Sequence, residues 1–439
     1  MSLDVSARRR RDVIDALRRG AVPTSGLDIL AVGLDRYTTA ITDDLDRVAG
    51  GSSVFKAIRG EYGAGKTFFT RWLAERAKQR GFAAAEVQIS ETETPLHRME
   101  TVYRRLVERL STEQFAPSAL RPVLDGWIFT LEEDVLAAGE VSEDDAEGLD
   151  RAAGELLERR LEGISRSAPG FAAALRSYRR ANAAGDHPMA EGLAAWLGGQ
   201  PHVAASVRRY AAVKGDLDHF QALNFLQGLL TVLRDSGHPG LLVVLDEVET
   251  LQRVRSDARD KALNALRQLI DEVHAGRFPG LYLVITGTPA FYDGPQGVQR
   301  LAPLAQRLAT DFSTDPRFDN PRAVQTRLAG FTLESLGELG RKVRDLYAAG
   351  SAVPDRIAAQ VDDAYIATLA TAVTGGLGGK VGVAPRLFLK KIVSDVLDRV
   401  DQHADFDPRK HYALTLSSTE MTDVERNAAS PDGVALELP

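Results

Sequence analysis

The apolar positions of the chain form two alternating patterns, short runs of strand length and longer stretches with helical spacing. Runs of strand length occur at 53–58, 83–90, 240–246, 281–286 and 324–328. The runs at 240–246 and 281–286 are almost entirely apolar, which is typical of parallel strands that are buried on both faces. Because helical stretches separate these runs, the chain predicts an α/β fold with a parallel sheet.

A βαβ unit is predicted in the first hundred residues. The strand at 53–58 leads into a Gly-rich loop at 60–67, and helical spacing follows at 66–80. Gly81 then ends this helix, and the strand at 83–90 comes next. The Gly-rich loop therefore lies at the first strand-to-helix turn of the unit.

Helical periodicity dominates the rest of the chain. It predicts helices at 7–19, 34–48, 96–110, 149–164, 171–180, 220–234 and 258–275. The segment 91–237 shows only this periodicity, which predicts a large α-helical insertion. Residues 332–400 return to helices. The tail beyond about 403 mixes Asp, Pro, Ser and Thr, so we expect it to be partly disordered.

Composition narrows the class of protein. The hydrophobic content of 44% and charged content of 26% are those of an ordinary soluble protein, and no apolar run approaches the roughly 20 residues of a membrane helix. The absence of cysteine excludes disulfides and thiolate catalysis and favours a cytoplasmic location. The net charge of −7 argues against a whole-surface nucleic-acid binder, although a local basic patch stays open.

The Gly-rich loop matches the phosphate-binding pattern G-x-x-x-x-G-K-[ST] in full. Its residues are Gly60, Glu61, Tyr62, Gly63, Ala64, Gly65, Lys66 and Thr67. Glycines in such a loop let backbone N–H groups surround a phosphate, Lys66 reaches the β and γ oxygens, and Thr67 offers a hydroxyl to Mg²⁺. Phe68 is included in the predicted nucleotide contacts. The alternative, an accidental Gly-rich turn, is disfavoured by the strand before and the helix after the loop.

An acidic pair ends the apolar run at 240–246. In a P-loop ATPase the first carboxylate, here Asp246, holds Mg²⁺, and the second, here Glu247, acts as general base toward the attacking water. Two solvated acids at a strand end are the simpler alternative, and the phosphate loop upstream favours the catalytic interpretation. Glu249 is a second, less favoured candidate for the base or for a switch.

Polar residues also end the next apolar run. Thr286 and Thr288 follow Leu281–Ile285 in the sequence Ile-Thr-Gly-Thr-Pro. A polar side chain at this position can lie beside the γ-phosphate and orient the attacking water, which is the sensor-1 role. We predict that one of them acts in this way and carry Thr286 as the candidate. The alternative is an ordinary strand-to-turn transition.

Several arginines are candidates for contact with the phosphates. Arg300, Arg307 and Arg317 precede the last predicted strand, and one of them could act in trans as an arginine finger, with Arg307 favoured by its position at a helix end. Arg386 begins a helix in the C-terminal segment and is the candidate sensor 2. For each of these residues the alternative is a solvated arginine in an Arg-rich chain.

Other basic and apolar residues suggest further contacts. The segment 18–23 could wrap an adenine ring, with Val22 in apolar contact, or it could be a simple loop between helices. Two groups of arginines in the predicted insertion are candidates for contact with nucleic-acid phosphates, namely Arg104, Arg105 and Arg109, and Arg208 and Arg209. Solvated helix faces are the favoured interpretation of both groups.

The order of these motifs resembles an AAA+ ATPase, although the segment between Ser90 and Gly240 is longer than a minimal core and implies the insertion. The tracts 9–23, 30–33, 94–105 and 281–289 resemble the ATP-binding protein family of the BREX system, often called BrxD. The similarity covers most of 8–400 and is weakest from 115 to 215. The family is associated with bacterial phage defence, so the resemblance implies ATP binding and other BREX proteins as partners.

The motifs and the resemblance together predict a P-loop NTPase of AAA+-like fold that is divided along the chain. The predicted segments are N-terminal helices with an adenine-side linker (1–52), the first part of the core (53–90), the α-helical insertion (91–237), the second part of the core (238–330), a C-terminal helical lid (331–402) and the tail (403–439).

We predict a Mg²⁺-dependent ATPase, with DNA as a candidate partner and ATP-dependent homo-oligomerisation as a hypothesis that follows from the trans arginine. The alternative from another class is an ATP-dependent switch or scaffold that recruits partners with negligible turnover. A small-molecule kinase is a third hypothesis, which the acidic pair and the Arg-bearing C-terminal helices disfavour.

Overall fold

The structure is a computed structural model in which residues 5–139, 141–142, 144–378, 382, 385–417, 419–422 and 425–426 are described. Within these residues the strands are β1 (Val54–Arg59), β2 (Ala83–Gln88), β3 (Leu241–Asp246), β4 (Leu281–Gly287) and β5 (Gln325–Arg327). They form one parallel sheet in the order β2-β3-β4-β1-β5. The predicted α/β class with a parallel sheet is confirmed, and each predicted strand lies within a few residues of an observed one.

Helices surround the sheet, and their bounds follow chain order. They are α1 (Ala7–Arg18), α2 (Leu27–Leu30), α3 (Asp35–Ala49), α4 (Lys66–Gln79), α5 (Met99–Arg109), α6 (Leu120–Ala137), α7 (Ala146–Ser167), α8 (Pro169–Ala183), α9 (His187–Leu197), α10 (Ala205–Tyr210), α11 (His219–Asp235), α12 (Ser256–His274), α13 (Pro289–Asp293), α14 (Ala302–Leu308), α15 (Leu333–Ala348), α16 (Pro354–Gln360), α17 (Asp363–Gly376), α18 (Pro385–Lys390), α19 (Asp398–Gln402) and α20 (Pro408–His411). A π-helical segment, Lys391–Leu397, joins α18 to α19. None of the helices in the described part of the chain is both long and apolar enough to cross a membrane.

The strand order decides which loops meet. β4 lies between β1, which leads into the Gly-rich loop, and β3, which ends in the acidic pair. Ile58 is in register with Thr286, and Gln88 is in register with Asp246. Because parallel strands end at the same edge, the Gly-rich loop, Thr286 and the acidic pair are neighbours at the carboxyl edge of the sheet.

The two faces of the sheet are covered by different helices. On one face, α3 and α4 bury Phe69, Trp72 and Leu45 against Tyr282 of β4. On the other face, α5, α11 and α12 pack on the strands, and their apolar core is continuous with that of α6–α10. The first and last helices of the predicted insertion, α5 and α11, are therefore part of the layer that covers the sheet. Helical periodicity could not distinguish them from the helices outside, because both kinds present an apolar face.

A second core lies beyond the carboxyl edge of the sheet. Val13 and Leu17 of α1 pack with residues of α15, α17, α18 and the π-helical segment, including Phe388. The helical segment predicted at 331–402 therefore shares its core with the first helix of the chain. In the predicted tail, Phe406 and Leu416 pack against the same core. The parts of the lid and tail predictions that concern 379–381, 383–384, 418, 423–424 and 427–439 lie outside the described residues.

Candidate functional site

A cavity of about 690 Å³ lies between the carboxyl edge of the sheet and the C-terminal helices. The Gly-rich loop, the start of α4 and the turn after β3 line one side of it. The loop after α1 and the C-terminal helices line the other side, together with Thr422 and Glu425 from the tail. Five separate parts of the sequence therefore form one site.

The Gly-rich loop has the backbone shape that its glycines allow. Gly63 and Gly65 have φ angles of +82° and +85°, a region that residues with a side chain rarely adopt. Gly65 is the N-cap of α4, and its carbonyl accepts a hydrogen bond from Phe69 N at 2.8 Å. The free N–H groups of the first turn of α4 therefore lie at the loop, where an anion is favoured by the helix dipole.

Lys66 is buried at the start of α4. Its Nζ donates hydrogen bonds to the carbonyl oxygens of Gly60 at 2.9 Å and Glu61 at 3.4 Å. The ammonium group also lies 5.0 Å from the centroid of the Tyr62 ring. Lys66 thus folds back over its own loop, beside the space that a phosphate group would occupy. Tyr62, Gly63, Ala64, Gly65, Thr67 and Phe68 also line the cavity, whereas Gly60 and Glu61 lie behind it.

Asp246 connects the loop to the strand ends. Its Oδ2 accepts a hydrogen bond from Thr67 Oγ1 at 3.1 Å, and its Oδ1 accepts one from Thr286 Oγ1. Thr286 is fully buried and in turn accepts a hydrogen bond from Glu247 N at 3.1 Å. The sequence-predicted residues Thr67, Asp246, Glu247 and Thr286 therefore belong to one hydrogen-bonded chain. Thr288 instead begins α13, where its carbonyl oxygen accepts from Phe291 N at 3.0 Å.

Glu247 is held in an unusual backbone conformation. Its φ of +59° is in the left-handed region, which is uncommon for residues other than glycine and concentrates at functional sites. Glu247 is among the residues that line the cavity, and its Oε2 accepts a hydrogen bond from Gln88 Nε2 at 2.8 Å. The end of β2 therefore fixes the orientation of the Glu247 carboxylate.

Glu249 also lines the cavity, from the 3₁₀ turn Val248–Gln252. Its side chain is only 4% exposed, and its Oε1 lies 3.6 Å from Lys66 Nζ. Burial raises the pKa of Glu249, while the nearby charge of Lys66 acts in the opposite direction. The site therefore contains a buried carboxylate next to the lysine of the Gly-rich loop.

The side of the cavity away from the Gly-rich loop is largely apolar. Val22 lines it, together with Leu17, Leu30 and Leu389. The backbone of Val22 is fixed because its carbonyl oxygen accepts a hydrogen bond from Arg71 NH1 at 3.0 Å. The predicted adenine-side residue is thus placed where a flat apolar ring would fit.

The predicted arginines have different positions. Arg386 lines the cavity, but its Nε and NH2 donate to the carboxylate of Glu425, at 2.9 Å for Nε. Arg307 lies outside the cavity lining, and its Nε donates to Asp271 of α12. Arg300 is similarly paired with Asp260. The side chain of Arg317 is 73% exposed, pairs with Asp315 at 3.3 Å and lies over the ring of Phe318.

The candidate nucleic-acid arginines are partly neutralised within the chain. Arg105 forms ion pairs with Glu108 at 2.8 Å and Glu93 at 3.6 Å. Arg208 lies 3.9 Å from Asp216. These contacts match the favoured interpretation of the two groups as solvated helix faces.

Two parts of the site did not emerge from the motifs. Gln88 carries one signal, since it is a polar residue near the end of a predicted strand, but its place beside Asp246 depends on the lateral order of the strands, which apolar runs do not give. Thr422 and Glu425 carry no such signal, since their place in the cavity wall depends on how the tail packs on the C-terminal helices. A tail rich in polar residues gives no periodicity from which that packing could be inferred.

The oxygens near the Gly-rich loop fit a hard divalent cation. Thr67 Oγ1 and Asp246 Oδ2 lie 3.1 Å apart and are the ligand type that Mg²⁺ prefers. Among the described residues, no group of three or more His, Asp or Glu side chains is arranged to hold a metal ion. Mg²⁺ typically keeps waters and takes one or two protein ligands together with substrate phosphates, and this donor set suits that mode.

Comparison with known proteins gives one match that spans nearly the whole chain. The family model described as BREX system ATP-binding protein BrxC/D matches residues 5–416. No curated protein and no solved structure gave a significant match.

Proposed function

The chain belongs to the BrxC/D family of BREX system ATP-binding proteins, and on this premise we propose that it is a Mg²⁺-dependent ATPase. The observation that carries the proposal is the convergence of Lys66, Thr67, Asp246 and Glu247 on one cavity. A phosphate loop alone indicates that phosphate groups bind, but not that they are hydrolysed. Glu247, which lines the same cavity, supplies the base that hydrolysis needs.

Nucleotide binding follows from the two sides of the cavity. The N–H groups at the start of α4 and the ammonium group of Lys66 hold the phosphates, and Val22 with its apolar neighbours holds the adenine ring. Thr67 and Asp246 hold Mg²⁺, which when bound neutralises charge on the phosphate oxygens. The C-terminal helices close the cavity from the side opposite the loop.

Hydrolysis requires a water molecule in line with the bond to the γ-phosphate. The water oxygen bonds to the γ-phosphorus as the bond to the β,γ-bridging oxygen breaks, which gives ADP and inorganic phosphate. Glu247 accepts the proton that the water loses. Thr286 fixes the backbone of Glu247 and one oxygen of Asp246, so it positions the base and the metal ligand relative to each other.

The AAA+-like fold and the segment boundaries belong to the same proposal. The strand order supports it, because the polar end of β4 lies between the phosphate-loop strand and the acidic strand. In this arrangement Thr286 occupies the sensor-1 position. Arg386 would act as sensor 2 only after it leaves Glu425, since two of its three nitrogens are held by that carboxylate.

A steady-state assay that compares the wild type with Glu247→Gln tests the proposal. We expect the wild type to release phosphate from MgATP, and Glu247→Gln to lose at least about a hundredfold in turnover while it still binds ATP. Binding without turnover in both proteins would favour the alternative, a nucleotide-dependent switch that recruits partners. A phosphorylated small molecule in place of free phosphate would instead indicate a kinase.

The biological setting follows from the family. We propose that ATP binding and turnover drive a conformational change in a phage-defence assembly with other BREX proteins, with DNA as a candidate substrate of that assembly. ATP turnover measured with and without duplex DNA tests whether the protein acts on DNA. A rate that DNA leaves unchanged argues against a direct role on DNA.

A further inference from the structure

Glu249 is a buried carboxylate that no other described residue serves as a hydrogen-bond donor. Its own backbone N–H is the one described donor that acts on it, and the side chain is 4% exposed. A buried charge is unfavourable unless it is paired, and in the described part of the chain Lys66, at 3.6 Å, is the one cation within ion-pair distance of Glu249. The charge of Glu249 therefore depends on the lysine that the phosphates of a nucleotide would also take.

The other groups that face Glu249 do not compensate its charge. Asp246 and Glu247 add negative charge, and both favour the protonated form of Glu249. Burial raises the pKa of the Tyr62 and Tyr292 phenols, and the nearby charge of Glu249 adds to the rise. Arg253 also lines the cavity, and its charge and hydrogen bond act on the Tyr62 phenol, whose pKa they lower.

Of the helices packed on this turn, α12 brings a cation as well. That cation, Arg259, donates to the carbonyl oxygens of Leu251, Gln252 and Val254. Its guanidinium group is therefore engaged by the backbone of the turn, and Lys66 is left as the counter-ion of Glu249.

We propose that Glu249 is an internal anion that the nucleotide phosphates replace at Lys66, and that Glu249 takes up a proton from solvent when they do. The proposal rests on nucleotide binding at the Gly-rich loop. When the phosphates engage Lys66, Glu249 loses its counter-ion and gains further negative charge nearby. The proton removes the resulting repulsion, so nucleotide affinity becomes linked to pH through this one side chain.

Titration calorimetry of the full chain with MgADP tests this proposal, with wild type, Glu249→Gln and Glu247→Gln compared in buffers of different ionisation enthalpy. We expect Glu249→Gln to bind MgADP at least about tenfold more tightly, because a like charge near the phosphates has been removed. We expect the wild type and Glu247→Gln to take up more protons on binding than Glu249→Gln does. The nucleotide itself exchanges the same number of protons in every experiment, so its contribution cancels when the proton uptake of one variant is subtracted from that of another.

The pH dependence has a defined sign. Since binding takes up a proton, the affinity of the wild type rises relative to that of Glu249→Gln as the pH falls. Equal affinity and equal proton uptake in the two proteins would overturn the inference and leave the proposed function standing. Weaker binding by Glu249→Gln would show that the carboxylate only orients Lys66. A wild type that binds neither MgADP nor MgATP would remove the proposed function itself.

If Glu249→Gln fails to fold, the proton uptake of the wild type and of Glu247→Gln still tests whether a proton is taken up by the protein when the nucleotide binds. An uptake that exceeds what the nucleotide releases or binds in free solution supports the proposal. An uptake fully explained by the nucleotide contradicts it. If Glu249→Gln folds, binds as the wild type does and loses turnover, Glu249 is the general base and the proposed role is wrong.

Discussion

At the scale of single residues, the hydroxyl of Thr286 has two roles that no apolar side chain could combine. It donates to Asp246 and accepts from the N–H of Glu247. The left-handed backbone of Glu247 is unfavourable for a residue with a side chain, and the hydrogen bond to its N–H helps to hold it. The geometry of the proposed base therefore depends on a buried residue of the neighbouring strand.

We predict that Thr286→Val lowers ATP turnover by about tenfold to a hundredfold. Valine keeps the shape of the side chain but leaves the N–H of Glu247 without its partner, which costs about 1–3 kcal/mol of folding stability. Phosphate release and chemical denaturation measure the two effects. Thr286→Ser is the matched control, because it retains the hydroxyl group and should keep most of the turnover.

At the scale of elements, the strands could be predicted from the sequence because their burial on both faces leaves apolar runs. The runs at 240–246 and 281–286 match β3 and β4 almost residue for residue. The lateral order of the strands could not be read in this way, since apolar runs say nothing of which neighbours they pair with. Gln88 was missed for that reason, because its importance comes from lying beside Asp246 across the sheet.

The same limit applies to the segment between β2 and β3. Helical spacing predicted four of its helices, α5, α7, α8 and α11, but not that α5 and α11 lie on the sheet while the others pack outside them. Likewise the polar composition of the tail gave no indication that its glutamates contact α18. Glu425 accepts a hydrogen bond from Arg386 of that helix, and Glu420 accepts one from Lys390. Motif spacing located the phosphate loop and the acidic pair because their chemistry requires particular residues at particular spacings.

A buried ion pair joins three elements of the core. Lys56 of β1 lies 3.2 Å from Asp44 of α3, and both side chains are almost fully buried. Lys56 Nζ also donates to the carbonyl oxygens of Pro321 and Ala323 at 3.1 Å, and Tyr282 OH donates to Asp44 at 3.1 Å. The pair therefore fixes α3 and the segment before β5 against the sheet.

We predict that Lys56→Met lowers the free energy of unfolding by about 3–5 kcal/mol, because it leaves the charge of Asp44 buried without its main partner. Chemical denaturation measures the loss. Lys56→Met combined with Asp44→Asn should recover part of it, since the double variant no longer buries an unpaired charge. A double variant less stable than the sum of the single effects would contradict this account.

The tail is attached to the C-terminal helices by charge. Glu420 accepts hydrogen bonds from Lys391 at 2.8 Å and Lys390 at 3.1 Å, and the bond from Lys391 is the main reason that its pKa falls to about 2. A carboxylate with a lowered pKa stabilises the folded state above its ordinary pKa of 4.5, and this contribution is lost as the pH falls toward 2. The attachment of the tail should therefore weaken in acid.

We predict that Glu420→Gln releases the tail at neutral pH, because it imitates the protonated carboxyl group. Faster amide hydrogen exchange at 419–422 and easier proteolysis after residue 412 would show this release. Glu133→Gln, which changes an exposed glutamate on α6, is the control and should leave both unchanged. Unaltered exchange in Glu420→Gln would mean that apolar contacts such as Leu416 hold the tail without the ion pairs.

At the scale of the whole molecule, segments far apart in the sequence, the loop after α1 and the C-terminal helices, line one side of the cavity. α1 shares a core with the C-terminal helices, and Arg18 is paired with Asp398 at 2.7 Å. The Gly-rich loop and the acidic pair belong to the sheet on the opposite side. A nucleotide in the cavity would therefore touch both the sheet and the core that α1 shares with the C-terminal helices. Its binding or hydrolysis could then change how the sheet and this second core are placed relative to each other.

The arginine finger is the part of the proposed ATPase that a second copy of the chain would supply. Each of the candidates Arg300, Arg307 and Arg317 pairs with an acidic residue of the chain, and for Arg317 that residue is Asp315 at 3.3 Å. The side chain of Arg317 is nevertheless 73% exposed, against 33% for Arg300 and 32% for Arg307. Arg317 is thus better placed than Arg307, the residue favoured by the sequence, to reach a neighbouring active site. We predict that Arg317→Ala lowers turnover about a hundredfold or more without weakening ATP binding, and that Arg307→Ala has a smaller effect.

If the finger acts between subunits, MgATP raises the molar mass seen in light scattering, and mixed subunits complement each other. A Glu247→Gln subunit lacks the base but can donate Arg317, while an Arg317→Ala subunit has the base but lacks the donor. Mixing the two inactive variants should therefore restore part of the turnover, because some interfaces then combine an intact base with an intact arginine. Two variants that stay inactive when mixed, in a protein that stays monomeric with MgATP, would show that hydrolysis is completed within one chain.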